Sequence, residues 1–76
     1  MQDEFKEYYK MIGLKVAYYR KLRSMTQEGL AECMGVDNSF IGQIEAPNIY
    51  KAVSLDTLFR ISKALDTEPY RFLKFD

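Results

Sequence analysis

Apolar residues recur along this chain mostly at helical spacing, and strand-like alternation is scarce. Phe5, Tyr8, Ile12, Val16 and Tyr19 step by three or four positions, which predicts an amphipathic helix from about Asp3 to Arg23. Thr26 is an N-cap candidate for a short second helix reaching Met34, with Leu30, Ala31 and Met34 on its inner face. Gly35 suits the next position, where a positive φ carries no Cβ penalty. Asp37 is the following N-cap candidate, and Ile41 and Ile44 form the inward pair of a third helix ending near Glu45. Pro47 breaks the chain there, and residues 46–53 read as a loop. Ser54 caps a fourth helix whose Leu55, Leu58, Ile61, Ala64 and Leu65 make a broad apolar face. Pro69 fits the first turn of a fifth helix bearing Tyr70, Phe72, Leu73 and Phe75. Five helices with short connections predict an all-α fold, with one domain over residues 1–76.

Composition narrows the chemistry. At 76 residues the core is near the lower limit of independent stability, but 47% hydrophobic residues argue against disorder. No apolar run approaches the roughly 18–20 residues that span a bilayer. Met1-Gln2-Asp3-Glu4 lacks the basic and apolar regions of a signal peptide, so a cytoplasmic protein without a membrane role is expected. Cys33 is the only cysteine and histidine is absent, which excludes an intramolecular disulfide, a multi-cysteine metal site, a zinc finger and a histidine-based triad. There is no cofactor motif, and the carboxylates fall at cap and pairing positions rather than as a converging set. A catalytic function is not expected.

Net charge is zero, which on totals argues mildly against a nucleic-acid partner. Distribution matters more. Between Lys10 and Arg23 the charged residues are Lys10, Lys15, Arg20, Lys21 and Arg23, with no acid among them. Asp3, Glu4 and Glu7 precede this block, and Glu28, Glu32, Asp37 and Glu45 follow it. Such a chain can present a positive face with modest, salt-sensitive affinity for phosphate backbones.

The stretch from Thr26 to Glu45 is the informative one. Two short helices joined by a tight turn at Gly35, with the small Ala31 where they cross, meet the requirements of helix-turn-helix geometry. Beyond this, the sequence closely resembles the Cro/C1-type (XRE-like) helix-turn-helix family, over about Ile12 to Leu73. The resemblance rests on Thr26-Gln27-Glu28, Leu30-Ala31, Gly35-Val36, Ser39-Phe40-Ile41-Gly42-Gln43-Ile44-Glu45, and Ser54-Leu55-Asp56-Thr57-Leu58 leading into Ala64-Leu65. It implies a compact, lambda-repressor-like domain that binds duplex DNA.

The family's roles carry over by position. Gln27 matches the glutamine that opens the first motif helix and binds a phosphate there, where free N–H groups and the helix dipole favour an anion. Asn38, Ser39 and Gln43 match positions facing base edges, and Gln43 and Asn38 are candidates for pairing with adenine. Phe40 would lie beside the groove, and Tyr50 and Lys51 belong to the loop that meets the DNA backbone. Arg20 and Glu45 match a partly buried salt bridge between the first and third helices, with Arg20 also a candidate for reaching phosphate. Two features depart from the family. Ala46-Pro47-Asn48 stands where a glycine two residues after the glutamate is usual, and Asp37 puts an acid near the DNA.

Six tyrosines and five phenylalanines exceed what one small core holds, so Phe5, Tyr9, Phe72 and Phe75 are candidates for a homodimer surface. The expected function is a homodimeric repressor reading a palindromic operator through the major groove. The alternative is a protein-interaction module, such as an antitoxin bound to a toxin or another regulator, with secondary DNA binding. The lysines and arginines Lys15, Lys21 and Arg23 read as a solvated face.

Overall fold

The computed structural model describes residues 2–49 and 51–75 and contains four α-helices: α1 (Lys6–Leu22), α2 (Gln27–Met34), α3 (Asn38–Glu45) and α4 (Leu55–Ala64). Single 3-10 turns at Gln2–Phe5 and Pro69–Phe72 flank them, and no strand occurs among the described residues. The expected fifth helix is therefore corrected to a turn. Pro69 opens it, the Arg71 N–H donates to the Glu68 carbonyl at 3.1 Å, and the Leu73 N–H donates to the Tyr70 carbonyl at 3.0 Å. Its anchor is one side chain, the fully buried Phe72, rather than an amphipathic stripe. The α-helical part of the first segment likewise begins at Lys6 instead of Asp3, with Phe5 at the N-cap and no side-chain cap bond.

All four helices and the last turn contribute to one core. Ile12 and Val16 of α1 meet Leu30 and Ala31 of α2, Ile41 and Ile44 of α3, Leu58 and Ile61 of α4, and Leu65 and Phe72 beyond it. Each large member adds about 1.5–3 kcal/mol of burial relative to exposure. Tyr19 packs edge-on against Phe72, with ring centroids 5.4 Å apart. Three residues of the expected apolar stripes are exposed instead: Phe5 at 50%, Tyr8 at 53% and Leu55 at 62%. They lie at the starts of α1 and α4.

Three helices stop in the same way. After α1, α2 and α4, one N–H reaches back three residues and the next reaches back five. The pairs are Ser24 to Lys21 with Met25 to Arg20, Gly35 to Glu32 with Val36 to Ala31, and Asp66 to Lys63 with Thr67 to Ser62. This pattern places one residue in the left-handed region and satisfies carbonyls that the helix end leaves open. Gly35 (φ 69°), Ser24 (φ 58°) and Asp66 (φ 51°) occupy that position.

Arg23 then ties two of these ends together. Its Nε donates to the Leu65 carbonyl and its Nη2 to the Asp66 carbonyl, both at 2.8 Å. The expectation of a merely solvated Arg23 is corrected accordingly: a cation at the C-terminal end of α4 complements the helix dipole there.

Candidate nucleic-acid interface

The motif helices are held by caps written into their sequence. Thr26 Oγ1 accepts from the Gly29 N–H at 2.9 Å and starts α2. Gly35 ends it with a positive φ that a Cβ would oppose. Asp37 has the extended backbone of an N-cap before α3, but its carboxylate makes no cap bond and is exposed.

On α3 the division of faces is sharp. Ile41 and Ile44 are buried, while Asn38, Ser39 and Gln43 are exposed. The last two are one helical turn apart and share a face. Phe40 and Gly42 are half-buried beside them. Lys51 Nζ lies 5.1 Å from the centroid of the Phe40 ring, a cation–π distance that brings the loop cation against α3. Tyr50 lies outside the described residues.

Below this surface sits a buried charge network. Arg20 Nε donates to Glu45 Oε2 at 2.7 Å and Arg20 Nη2 to Glu45 Oε1 at 2.8 Å, a two-pronged bridge from α1 to α3. Arg20 Nη1 donates to the Met25 carbonyl at 2.8 Å, tying down the α1–α2 connection just before the N-cap Thr26. The hydrogen bond with Glu45 raises the Arg20 guanidinium above its ordinary pKa, outweighing the opposing effect of burial, so the group stays charged. Arg20 is buried, with partners on all three nitrogens, and this placement does not fit the phosphate contact expected of it.

Gln27 joins the same network. Its Nε2 donates to Glu45 Oε1 at 3.0 Å, so Arg20 of α1 and Gln27, the first residue of α2, share the carboxylate of the last residue of α3. An amide nitrogen carries two N–H donors, and one of them is used here. The network therefore fixes the orientation of Gln27 at the helix start.

Two structural residues escaped the sequence reading. Gly13, buried in α1, faces the Ile44 carbonyl closely enough that a Cβ would collide with it. An isolated glycine inside a helical pattern is a signal for such an approach. Arg23, described above, had no local signal.

A family model described as Helix-turn-helix (HTH_3) matches residues 10–72. The chain belongs to the Cro/C1-type helix-turn-helix family. That family consists of DNA-binding transcription regulators. Among relatives of this helix-turn-helix protein is the control protein C.SmaI of Serratia marcescens, 32% identical over 69 residues, spanning 91% of this chain and 80% of the relative. An uncharacterized HTH-type transcriptional regulator of Bacillus subtilis, YazB, is 42% identical over 36 residues, which are 47% of this chain and 52% of the relative. Among solved structures, the restriction-modification controller protein C.AhdI of Aeromonas hydrophila superposes with a TM-score of 0.82 at 28% identity. The match covers 91% of this chain and 97% of that one.

Proposed function

We propose that this helix-turn-helix protein is a sequence-specific repressor that binds a palindromic operator as a homodimer, laying α3 in the major groove. The observation that carries the reading is the exposed Asn38–Ser39–Gln43 face on a helix whose opposite side, Ile41 and Ile44, is locked into the core. In this reading Gln43 pairs bidentately with a base, adenine being the partner its amide geometry matches. Asn38 and Ser39 reach adjoining base edges. Gln27, oriented by Glu45, gives its remaining amide N–H and the free backbone N–H groups of the α2 start to a phosphate. Phe40 and Lys51 approach the sugar-phosphate backbone together, with Tyr50 as a further loop contact. Arg20 and Glu45 serve as the strut beneath the site.

One module of this size covers few base pairs, so two copies on half-sites about one helical turn apart supply the specificity. Two controller proteins among the relatives, C.SmaI and C.AhdI, support a regulatory role for this chain. The reading requires no catalytic group and no cofactor.

The test is selection of bound duplexes from a random DNA pool at near-physiological salt. A two-fold symmetric motif with half-site centres about ten base pairs apart is expected. Recovery of background sequence alone would remove the operator-binding reading and favour a protein partner.

A further inference from the structure

α1 carries apolar side chains on more than the face it gives to the core. Tyr9 and Ile12 line a groove that takes in Phe5 and Phe75, and Gly13 and Arg20 meet Ile44 and Glu45 of α3. About half a turn of the helix away from Gly13 and Arg20, Met11, Leu14, Tyr18 and Leu22 form a second row, 36%, 57%, 58% and 58% exposed. At 3.6 residues per turn the four fall within about 80° of one another and extend over roughly 16 Å. The outer face of a surface helix is ordinarily charged or polar, and a row this narrow, at steps of three and four, has the shape of a helix–helix seam. One ring in it is already fixed: Tyr18 stands edge-on to Tyr19, with centroids 4.9 Å apart.

We infer that this row is a docking site for an amphipathic helix of a partner protein, one whose apolar seam is flanked by carboxylates. Charge decides the kind of partner. Helical spacing puts Lys15 on one side of the row and Lys10 and Lys21 on the other, and no acid occurs from Lys10 to Arg23. Lys10 has a loose contact with Glu7 at 3.9 Å, whereas no carboxylate pairs with Lys15 or Lys21 among the described residues. At the far end, Leu22 borders a hollow that Arg23, Lys63 and Arg71 line together with Asp66 and Glu68, so the excess of bases continues there. Charges beside a helical seam choose its partner, and carboxylates are the complement of these.

Other occupants fit less well. A second copy presenting the same row would set lysines against lysines across a two-fold axis. A helix that lies on a bilayer buries a broad apolar face, and here the rest of the apolar surface of α1 is taken up by the core. Position is compatible with DNA binding. The row points away from α3, so a partner seated on it leaves Asn38, Ser39 and Gln43 uncovered. The inference adds a protein contact to the DNA-binding reading and does not depend on it.

The experiment is an anisotropy titration of the full chain against a labelled synthetic helix of about three heptads, with Leu at a and d and Glu at e and g. A second probe carries Lys at e and g, and amide shifts in NMR spectra map where the first one binds. Saturable binding of the Glu probe in the micromolar range is expected, at least about tenfold tighter than the Lys probe, with shifts confined to α1 and the hollow beside Leu22. Leu14→Glu should weaken binding of the Glu probe by about tenfold or more. The double change Lys15→Glu with Lys21→Glu should reverse the preference between the probes. These side chains lie outside the core, so circular dichroism should show an unchanged fold, and Leu55→Glu, exposed on α4, should bind as the parent does. No binding of the Glu probe, equal affinity for both probes, or shifts away from α1 would overturn the inference. Tighter association with phosphatidylglycerol vesicles would give the row to a bilayer, and self-association weakened by Leu14→Glu would give it to a second copy; either result would overturn the helix partner.

Discussion

Gly13 of α1 faces the carbonyl of Ile44 with no room for a Cβ between them: one built there would collide with the oxygen and stand 3.2 Å from the carbonyl carbon. The two helices touch backbone to backbone at this point, just before Glu45. On helix propensity alone, Gly13→Ala should stabilise α1 by about 0.8–1 kcal/mol. The obstacle is backbone, which cannot swing aside as a side chain can, so overpacking decides the sign. A net loss of about 1–3 kcal/mol is expected, which for a domain of this size lowers Tm by about 4–8 °C per kcal/mol. A thermal melt showing an unchanged or higher Tm would mean that α1 and α3 do not cross this closely.

Next to that crossing, Arg20 and Glu45 are 10% and 5% exposed at their side chains. Removing one partner leaves the other charge buried, at a cost of about 3–5 kcal/mol. Arg20→Met and Glu45→Gln should each destabilise on that scale, and urea denaturation measures it. The pair Arg20→Met with Glu45→Leu should cost clearly less than the sum of the single changes, because no orphan charge remains. Strict additivity would show that the bridge carries no coupling energy.

How far the sequence could be read follows from which signals are local. α2 and α3 were legible because Thr26 and Gly35 are residue types chosen by the geometry they cap, and because Ile41 and Ile44 keep helical spacing between exposed polar residues. The ends of α1 and α4 stop by the same hydrogen-bond pattern as α2, but Ser24 and Asp66 stand where glycine would mark it, so that shared pattern was not legible. The Pro69–Phe75 stretch read as a helix because Pro69 suits a first turn and bulky apolar residues follow it, whereas a single buried ring, Phe72, anchors a 3-10 turn there. Phe72 thereby leaves the set of dimer-surface candidates, while Phe5 and Phe75 line the groove with Tyr9. The site's polar wiring joins residues far apart in sequence, Gln27 to Glu45 and Arg23 to Leu65, and periodicity carries no information about such pairs.

The proposed contacts separate by their effect on sequence preference. Gln43→Ala should lose about 1–3 kcal/mol of discrimination at one base-pair position while sparing binding to scrambled duplex. Gln27→Ala should weaken selected and scrambled duplexes by similar factors, since a phosphate reads the same in every sequence. Lys51→Ala should lower the slope of log affinity against log salt by about one. Anisotropy titrations on both duplexes at several salt concentrations give all three. If Gln43→Ala discriminates as well as the parent, the outer face of α3 is not the reading face.

The two non-glycine residues in the left-handed region offer a last prediction that involves the backbone alone. An L-residue there is disfavoured by roughly 1–2 kcal/mol through the contact between its Cβ and the neighbouring carbonyl. Glycine removes that contact but loses more chain entropy on folding, so Ser24→Gly and Asp66→Gly should each stabilise by a net amount of about 0.5–1 kcal/mol. Gly35→Ala is the mirror experiment. Nothing lies within 4 Å of a Cβ placed at Gly35, so any loss there comes from φ and not from packing. It should destabilise by about 1 kcal/mol. Ser24 and Asp66 end different helices, so their gains should add unless the Arg23 bonds to Leu65 and Asp66 couple them. Denaturation midpoints of the two single variants and the double variant decide this. A sum that falls short by more than about 0.5 kcal/mol would locate the coupling at Arg23, and a destabilised Ser24→Gly would mean that the serine side chain holds the end of α1 through more than its φ.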